Sequence, residues 1–354
     1  MKKAVLWQAL ANQKVRCQAC QRCCLIASGK TGFCRARFNK NGRLYSLNYG
    51  LVPHIQVDPI EKKPFYHFRP GALVPSIGSY GCNFRCKQCL NWSSSWGEPA
   101  GTILKSVQEQ EKYPVVPPEA VIDQIEQGGY QGIAFTYNEP TIWPEYVLAV
   151  ARLAKKKHFF TLYVTNGSWT KQALDLIGQY LDAANIDFKG FSHVTYAKQG
   201  AFRGKVLEMA RYAQKKHQIF LEITTLLIPG INDQPKELRQ LCQWIAENLG
   251  PKTPLHFSQF DPQLAPDPEF QKLSPTAKTS LDLAYQIAKK AGLAFVYLWA
   301  PSAGPLASLY AQGDTICPKC GSLAIKRTGW QPKILQVNSQ GRCSKCGEDL
   351  RIMR

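Results

Sequence analysis

The chain predicts an α/β fold: a partial or complete parallel (β/α) barrel with small cysteine-rich, metal-binding modules at both ends. Three observations lead there. From about residue 73, apolar runs rich in β-branched and aromatic residues alternate with amphipathic helical segments. Twelve of the thirteen cysteines fall in three clusters, at 17–34, 82–89 and 317–346. The alternation stops near residue 311, where a cysteine-rich tail begins.

Composition narrows the function classes. At 354 residues and 45% hydrophobic, the chain has enough material for a sizeable core. No apolar run approaches the ~18 residues that would span a bilayer. The opening MKKAVLWQALANQ is interrupted by Gln8 and offers no small-residue cleavage site, so a cytoplasmic protein without a membrane partner is expected. Clustered cysteines in such a chain point to metal rather than disulfides. The net charge of +19 is uneven, with no Asp or Glu in residues 1–40 and an excess of Lys and Arg after residue 314. Basic ends fit either a solvated surface or an acidic partner such as nucleic acid.

The elements follow in order. Residues 1–72 form an N-terminal cysteine-rich module and segment, 73–310 the barrel and 311–354 the tail module. Strands are expected at 73–79, 132–137, 159–165, 183–188, 219–227, 255–260 and 294–299. Helices are expected at 117–127, 234–249 and 275–291, the last started by Ser274 and Pro275. Cys242 stands alone on the apolar face of the second of these helices, as a small hydrophobe.

The stretch GCNFRCKQC, residues 81–89, spaces Cys82, Cys86 and Cys89 as C-x3-C-x2-C. Iron–sulfur cubanes usually take four thiolates. Three leave one iron open, and an open position is where a small molecule can be ligated and transformed. The spacing also suits one buried helix face. Gly81 and Asn83 favour a loop instead, and Arg85 and Lys87 place positive charge around the thiols.

In a (β/α) barrel the chemistry sits at the carboxyl ends of the strands. The candidates there are Asn138 and Glu139 in TYNEPT, Thr165 and Asn166 in YVTNG, and Asp187 and Lys189 in NIDFKG. Asn166 with Gly167 is also ordinary turn chemistry. Asp187 and Lys189, two apart, face the same side of a strand, either toward a ligand or as a mutual ion pair. Thr224 and Thr225 are weaker candidates, ahead of a turn at Pro229 and Gly230.

These motifs resemble the radical S-adenosylmethionine (SAM) superfamily, in which C-x3-C-x2-C follows the first barrel strand. The resemblance implies a [4Fe–4S] cluster on Cys82, Cys86 and Cys89, SAM as cofactor and release of a 5′-deoxyadenosyl radical. It makes Glu139, beside Asn138, the counterpart of a G-G-E-P acceptor for the SAM amino group. Thr165 and Asn166 then serve the ribose or backbone. Asp187 and Lys189 resemble the D-x-K motif of glycyl-radical-enzyme activases, where lysine approaches the SAM carboxylate and aspartate helps bind a cation. Two positions depart from the pattern: Gln88 replaces an aromatic residue and Val164 an aspartate.

Residues 46–71, with DPIEKKPFYHF as their most specific part, resemble the radical SAM member of the AmmeMemoRadiSam system, related to pyruvate formate-lyase activating enzymes. That resemblance implies a segment closing over the cluster, with His67 and Lys62 facing either the active site or solvent. It also implies a flavodoxin- or ferredoxin-type electron donor and a protein partner, Memo-like or AMMECR1-like proteins among the candidates. An RNA-modifying radical enzyme and a non-enzymatic iron–sulfur protein are the other readings. The family pattern C-x2-C-x3-C-x9-C maps onto Cys17, Cys20, Cys24 and Cys34, leaving Cys23 over, and would hold zinc or an auxiliary cluster. Cys317, Cys320, Cys343 and Cys346 are spaced C-x2-C-x22-C-x2-C, a zinc-ribbon signal, with LAIKRTGW and KILQVN as its strands.

Overall fold

The computed structural model describes residues 1–53, 55–98, 100–105, 109, 111–299 and 313–354. The expected junction at 310/311 lies outside them. Six short strands come first: β1 (Lys2–Lys3), β2 (Trp7–Ala9), β3 (Val15–Cys17), β4 (Leu25–Ile26), β5 (Arg37–Lys40) and β6 (Arg43–Ser46). β7 (Ile55–Pro59), β8 (Leu73–Ile77), β9 (Gly132–Phe135), β10 (Phe160–Thr165), β11 (Ala183–Asp187), β12 (Phe220–Leu227), β13 (Leu255–Gln259) and β14 (Val296–Trp299) make one eight-stranded sheet in sequential order. The pairs β8–β9, β9–β10, β12–β13 and β13–β14 are parallel. The α/β expectation holds, and each expected strand contains one of β8–β14. No described helix is long and apolar enough to cross a membrane.

The chain divides into two compact units. The first comprises Met1–Val57, Val74–Ala184 and Gly200–Ile219. Its parallel strands are buried almost throughout, as strands covered on both faces must be. The helix Pro118–Gln127 begins with proline and an acidic first turn and buries Val121, Ile122 and Ile125. The helix Lys171–Ile177 begins at Thr170, whose hydroxyl accepts from Ala173 N at 3.0 Å.

The N-terminal strands form two small sheets, β1–β6–β5 and β2–β3–β4. Asn39, fully buried, joins their loops by donating to the carbonyls of Gln13 and Ile26, both at 2.8 Å, and accepting from Gly42 N. Arg37 fixes this module to the helix Pro144–Lys156, reaching both carboxylate oxygens of Glu145 at 2.7 and 2.8 Å and the carbonyl of Val5 at 2.6 Å. This bidentate geometry is what lets a buried ion pair persist.

The second unit comprises Asp58–Leu73, Asn185–Gln199 and Phe220–Arg354. β15 (Thr315–Ile316), β16 (Leu323–Thr328) and β17 (Gln331–Ile334) form the antiparallel sheet of the tail module. Its Cys317, Ala324, Ile325, Cys343, Leu350 and Ile352 share one buried cluster with Tyr66, Phe295 and Tyr297. Polar bonds reinforce the junction: Arg327 donates to the Tyr66 carbonyl at 2.6 Å, Arg69 N to Met353 O at 2.7 Å and Met353 N to His67 O at 2.8 Å.

One helix starts later than the sequence indicates. It runs Lys278–Lys290, with Ala277 rather than Ser274 at its cap. Thr276 accounts for the shift. Its hydroxyl accepts from Phe260 N at 2.8 Å and donates to Leu227 O at 2.6 Å, so residues just before it are committed to a loop. Cys242 is buried in the helix Pro235–Asn248, as expected.

Candidate active site

β8 delivers the chain into the cysteine loop. Residues 82–89 are turns and irregular backbone, so the helix-face alternative is excluded. Cys86 is buried, and Cys82 and Cys89 are half-buried. Cys82 sulfur accepts from Phe84 N at 3.5 Å. Burial of that thiol, and then its neighbours Cys86 and Glu139, hold its pKa well above the ordinary cysteine range. A thiol so placed stays protonated until a cation replaces the proton.

The loop is held by amide side chains. Asn138, just past β9, accepts from Ser79 N at 3.0 Å and donates to Gly81 O at 2.8 Å, gripping the loop's entry. Asn166, just past β10, donates to Asn83 Oδ1 at 2.8 Å and accepts from Ser168 N at 3.1 Å. Asn83 donates in turn to Ser168 Oγ, and its carbonyl accepts from Arg22 Nε. Arg85 donates to the carbonyls of Cys82 and Phe33, both at 2.7 Å. Gly200 closes the exit: its φ is +70°, its carbonyl accepts from Arg85 N, and a Cβ there would meet Arg85 O at 2.2 Å.

Glu139 is 2% exposed and accepts four hydrogen bonds. Oε1 takes Thr141 N at 3.0 Å, the Thr141 hydroxyl and the Thr165 hydroxyl at 2.8 Å; Oε2 takes Asn166 N at 2.8 Å. Burial raises its pKa, and these donors work in the opposite direction. Pro140 opens the 3-10 turn Pro140–Ile142 that Glu139 caps. One unit thus gathers Cys82, Cys86, Cys89, Asn138, Glu139, Thr165 and Asn166.

Asp187 and Lys189 belong to the other unit, at and just beyond the end of β11. They are ion-paired, as one reading of their spacing expects, and Asp187 Oδ1 is buried with no hydrogen-bond partner. Nearby in sequence order, Thr224 donates to Asn185 Oδ1 at 2.8 Å, while Thr225 Oγ1 is buried and unpartnered. Gly230, at φ +71°, sits in the expected turn. Lys62 is a half-exposed partner of Asp58 at 2.7 Å. His67 is fully buried, bonded to Leu350 O at 2.9 Å and Tyr297 OH at 2.6 Å.

Sequence reading missed Asn83, Ser79, Ser168 and Arg22. Asn83 had the clearest signal, lying directly after Cys82. Its partners Asn166 and Ser168 lie more than eighty residues away, which no local pattern reports.

Comparison with known proteins decides the family. Residues 76–242 match the radical SAM superfamily, and that segment contains the cysteine loop and the ends of β8–β12. Over 354 residues the chain is 35% identical to the uncharacterized protein MJ0808 of Methanocaldococcus jannaschii, covering 100% of both. The chain belongs to the radical SAM superfamily. A radical SAM chain is an enzyme, and the family implies SAM and a [4Fe–4S] cluster. The chain is also 27% identical over 218 residues to MJ1227 of the same organism, whose name assigns it provisionally as a glycyl-radical enzyme activating enzyme; the match covers 60% of this chain and 82% of that one. Among solved structures, a domain of the pyruvate-formate lyase-activating enzyme from Bacteroides vulgatus aligns at TM-score 0.41 and 16% identity, covering 48% of this chain and 98% of that domain.

The residues present fit what the radical SAM family implies. Three thiols share one loop, Cys82 within electrostatic reach of Cys86 and Cys89. In the other unit, a buried carboxylate oxygen on Asp187 lacks a partner, as a group awaiting a ligand would. The four tail cysteines bring their sulfurs within 4.8 Å of one another, a set able to hold a metal ion.

Proposed function

We propose that this enzyme binds a [4Fe–4S] cluster on Cys82, Cys86 and Cys89, cleaves SAM reductively there and acts on a protein partner as glycyl-radical-enzyme activases do. The carrying observation is the three-thiol loop, braced by Asn83, Asn138 and Asn166, inside the segment that matches the family. Bound there, the reduced cluster supplies the electron that splits the SAM sulfonium and releases a 5′-deoxyadenosyl radical.

The chain's own residues hold and orient. Asn138 and Asn166 fix the loop that carries the three thiols. Glu139 presents a carboxylate whose Oε2 carries a single donor, leaving room for a SAM ammonium. Thr165 positions that carboxylate through its hydroxyl. The resemblance to activases would give Lys189 the SAM carboxylate and Asp187 a part in binding a cation. The name of MJ1227 supports a protein substrate. The resemblance implies a one-electron donor of flavodoxin or ferredoxin type. Memo-like and AMMECR1-like proteins are the first partners to assay.

The tail cysteines would take zinc. Cys317 and Cys346 sulfurs are 3.5 Å apart, and Cys320 and Cys343 sulfurs 3.8 Å. A tetrahedron with ~2.3 Å Zn–S bonds has edges of about 3.8 Å. An RNA substrate is a second reading, supported by Arg22 and Arg85 stacked on the exposed ring of Phe33, at 3.6 and 4.5 Å.

Anaerobically reconstituted, reduced protein should convert SAM to 5′-deoxyadenosine, and Cys86→Ala should abolish this. Persistence of cleavage in that variant would sink the assignment. Capture of a polypeptide rather than RNA by the reduced enzyme separates the two substrate classes.

A further inference from the structure

One surface of the first unit joins exposed rings and cations to the backbone of the cysteine loop. The Arg22 guanidinium lies 3.6 Å from the ring centroid of Phe33 and 5.8 Å from that of Phe202. Arg85 lies 4.5 Å from the Phe33 ring. Both rings are exposed, Phe33 at 40% and Phe202 at 38%. The same arginines end on the loop. Arg22 donates to Asn83 O, and Arg85 to the carbonyls of Cys82 at 2.7 Å and Phe84 at 2.9 Å. A single layer of guanidinium therefore links the exposed rings to consecutive carbonyls of the loop.

The surroundings are cationic. Residues 1–40, which supply Arg22, Phe33 and Arg35, contain no Asp or Glu. Arg35 is exposed and stands close enough to Arg85 for their charges to repel. Lys205 is exposed, and its backbone N donates to Gln21, next to Arg22. Glu98 beside Arg35, and Glu208 at 3.9 Å from Lys205, balance only part of this charge. Gathering like charges costs free energy that an anionic partner offsets.

Composition suits a brief encounter with such a partner. Aromatic rings and arginine are enriched at the centre of protein interfaces, redox encounters use small ones, and opposite charge speeds them. Position says which partner gains by docking here. The cysteine loop is where an electron must enter for the reaction proposed above, and this surface ends on that loop's backbone. Nucleic acid would use the same charge but has no need of that contact.

We propose that Arg22, Phe33, Arg35, Arg85, Phe202 and Lys205 form the docking surface for an acidic one-electron carrier protein that reduces the cluster on Cys82, Cys86 and Cys89. The carrier loses one electron and the cluster gains it; no proton or group moves. The proposal rests on the SAM-cleaving reading and adds where its electron arrives.

The test compares the reconstituted wild type with Arg35→Glu, Lys205→Glu and the double variant. Neither residue bonds to the loop, and Lys205 is remote in sequence from every cysteine, so it serves alone if Arg35→Glu disturbs Cys34. Calorimetry with an oxidised plant-type ferredoxin, and separately with a flavodoxin, in about 0.05 M salt should show binding by at least one. The double variant should weaken it roughly tenfold, and about 0.5 M salt should remove it. 5′-Deoxyadenosine formation driven by the reduced carrier should fall about as much, while formation driven by dithionite, which needs no docking surface, stays unchanged. No binding by either carrier, or equal binding by wild type and variants, overturns the proposal. So does a loss of carrier-driven rate matched by the dithionite-driven rate, which marks a structural defect. Binding of a single-stranded RNA that depends on Arg35 and Lys205, with the carriers indifferent to them, assigns the surface to nucleic acid and also overturns it. If dithionite yields no 5′-deoxyadenosine in the wild type, the SAM-cleaving reading fails, and calorimetry still reads the docking surface on its own.

Discussion

Asn166 Nδ2 donates to Asn83 Oδ1 at 2.8 Å, joining the end of β10 to the residue that follows the first cysteine of the catalytic loop. The bond is buried, and each partner makes further bonds with Ser168. The loop's shape therefore depends on a side-chain network rather than on the cysteines alone.

Asn166→Ala should cost about 1–3 kcal/mol, the penalty for orphaning a buried amide. Urea denaturation measures that loss. Iron bound at the 82–89 loop should fall at the same time. A variant with wild-type stability and full iron content would show that the bond is incidental.

Glu145→Gln leaves the Arg37 guanidinium buried without its counter-charge. Breaking a buried pair from one side costs about 3–5 kcal/mol. Both side chains are nearly inaccessible, so solvent screening offers little relief. Guanidinium denaturation of the two proteins should show the difference as a lower midpoint. Replacing both residues by apolar ones should recover much of it.

Stability should fall with pH below about 6.5. Burial drives the His67 pKa down from the usual range to about 3. Between those values the unfolded chain binds a proton that the folded chain refuses, so each unit of pH costs up to about 1.4 kcal/mol. Glu222, held below the usual carboxylate range against its burial by His256, adds a loss at the lower end. Melting temperatures from pH 7 to pH 4 should drop steeply, and His67→Gln should flatten the upper part. A flat profile in the wild type contradicts the burial argument.

Cys343→Ala or metal removal should damage more than the tail. Cys317 and Cys343 share a buried cluster with Tyr66, Phe295 and Tyr297, so the effect passes beyond the module. Hydrogen exchange should accelerate at residues 60–69 as well as at 315–350. Protection unchanged at 60–69 would restore the picture of an autonomous tail.

The α/β order and the cysteine chemistry were legible because both are written locally, in periodicity and spacing. β8–β14 are long enough to carry a pattern; β1–β6, two to four residues each, are not. Asp187 and Lys189 could be placed on one side of a strand from their separation, with their ion pair as one of two readings. The bond from Asn166 to Asn83 was not legible, because the two lie more than eighty residues apart. His67 was left between site and surface, whereas it is a core residue satisfied by Tyr297 and Leu350. Thr276 moved a helix start through contacts with Phe260 and Leu227 that no capping rule contains.

His67 and Leu350 are hydrogen-bonded across 283 positions, and Phe68 bridges Met353 beside them. A ribosome making this chain must therefore release residues 60–69 long before their companions exist. Until then Tyr66, His67 and Phe68 remain uncovered, a sticky stretch for chaperones to shelter. Ribosome-stalled intermediates halted before residue 343 should leave that stretch open to protease.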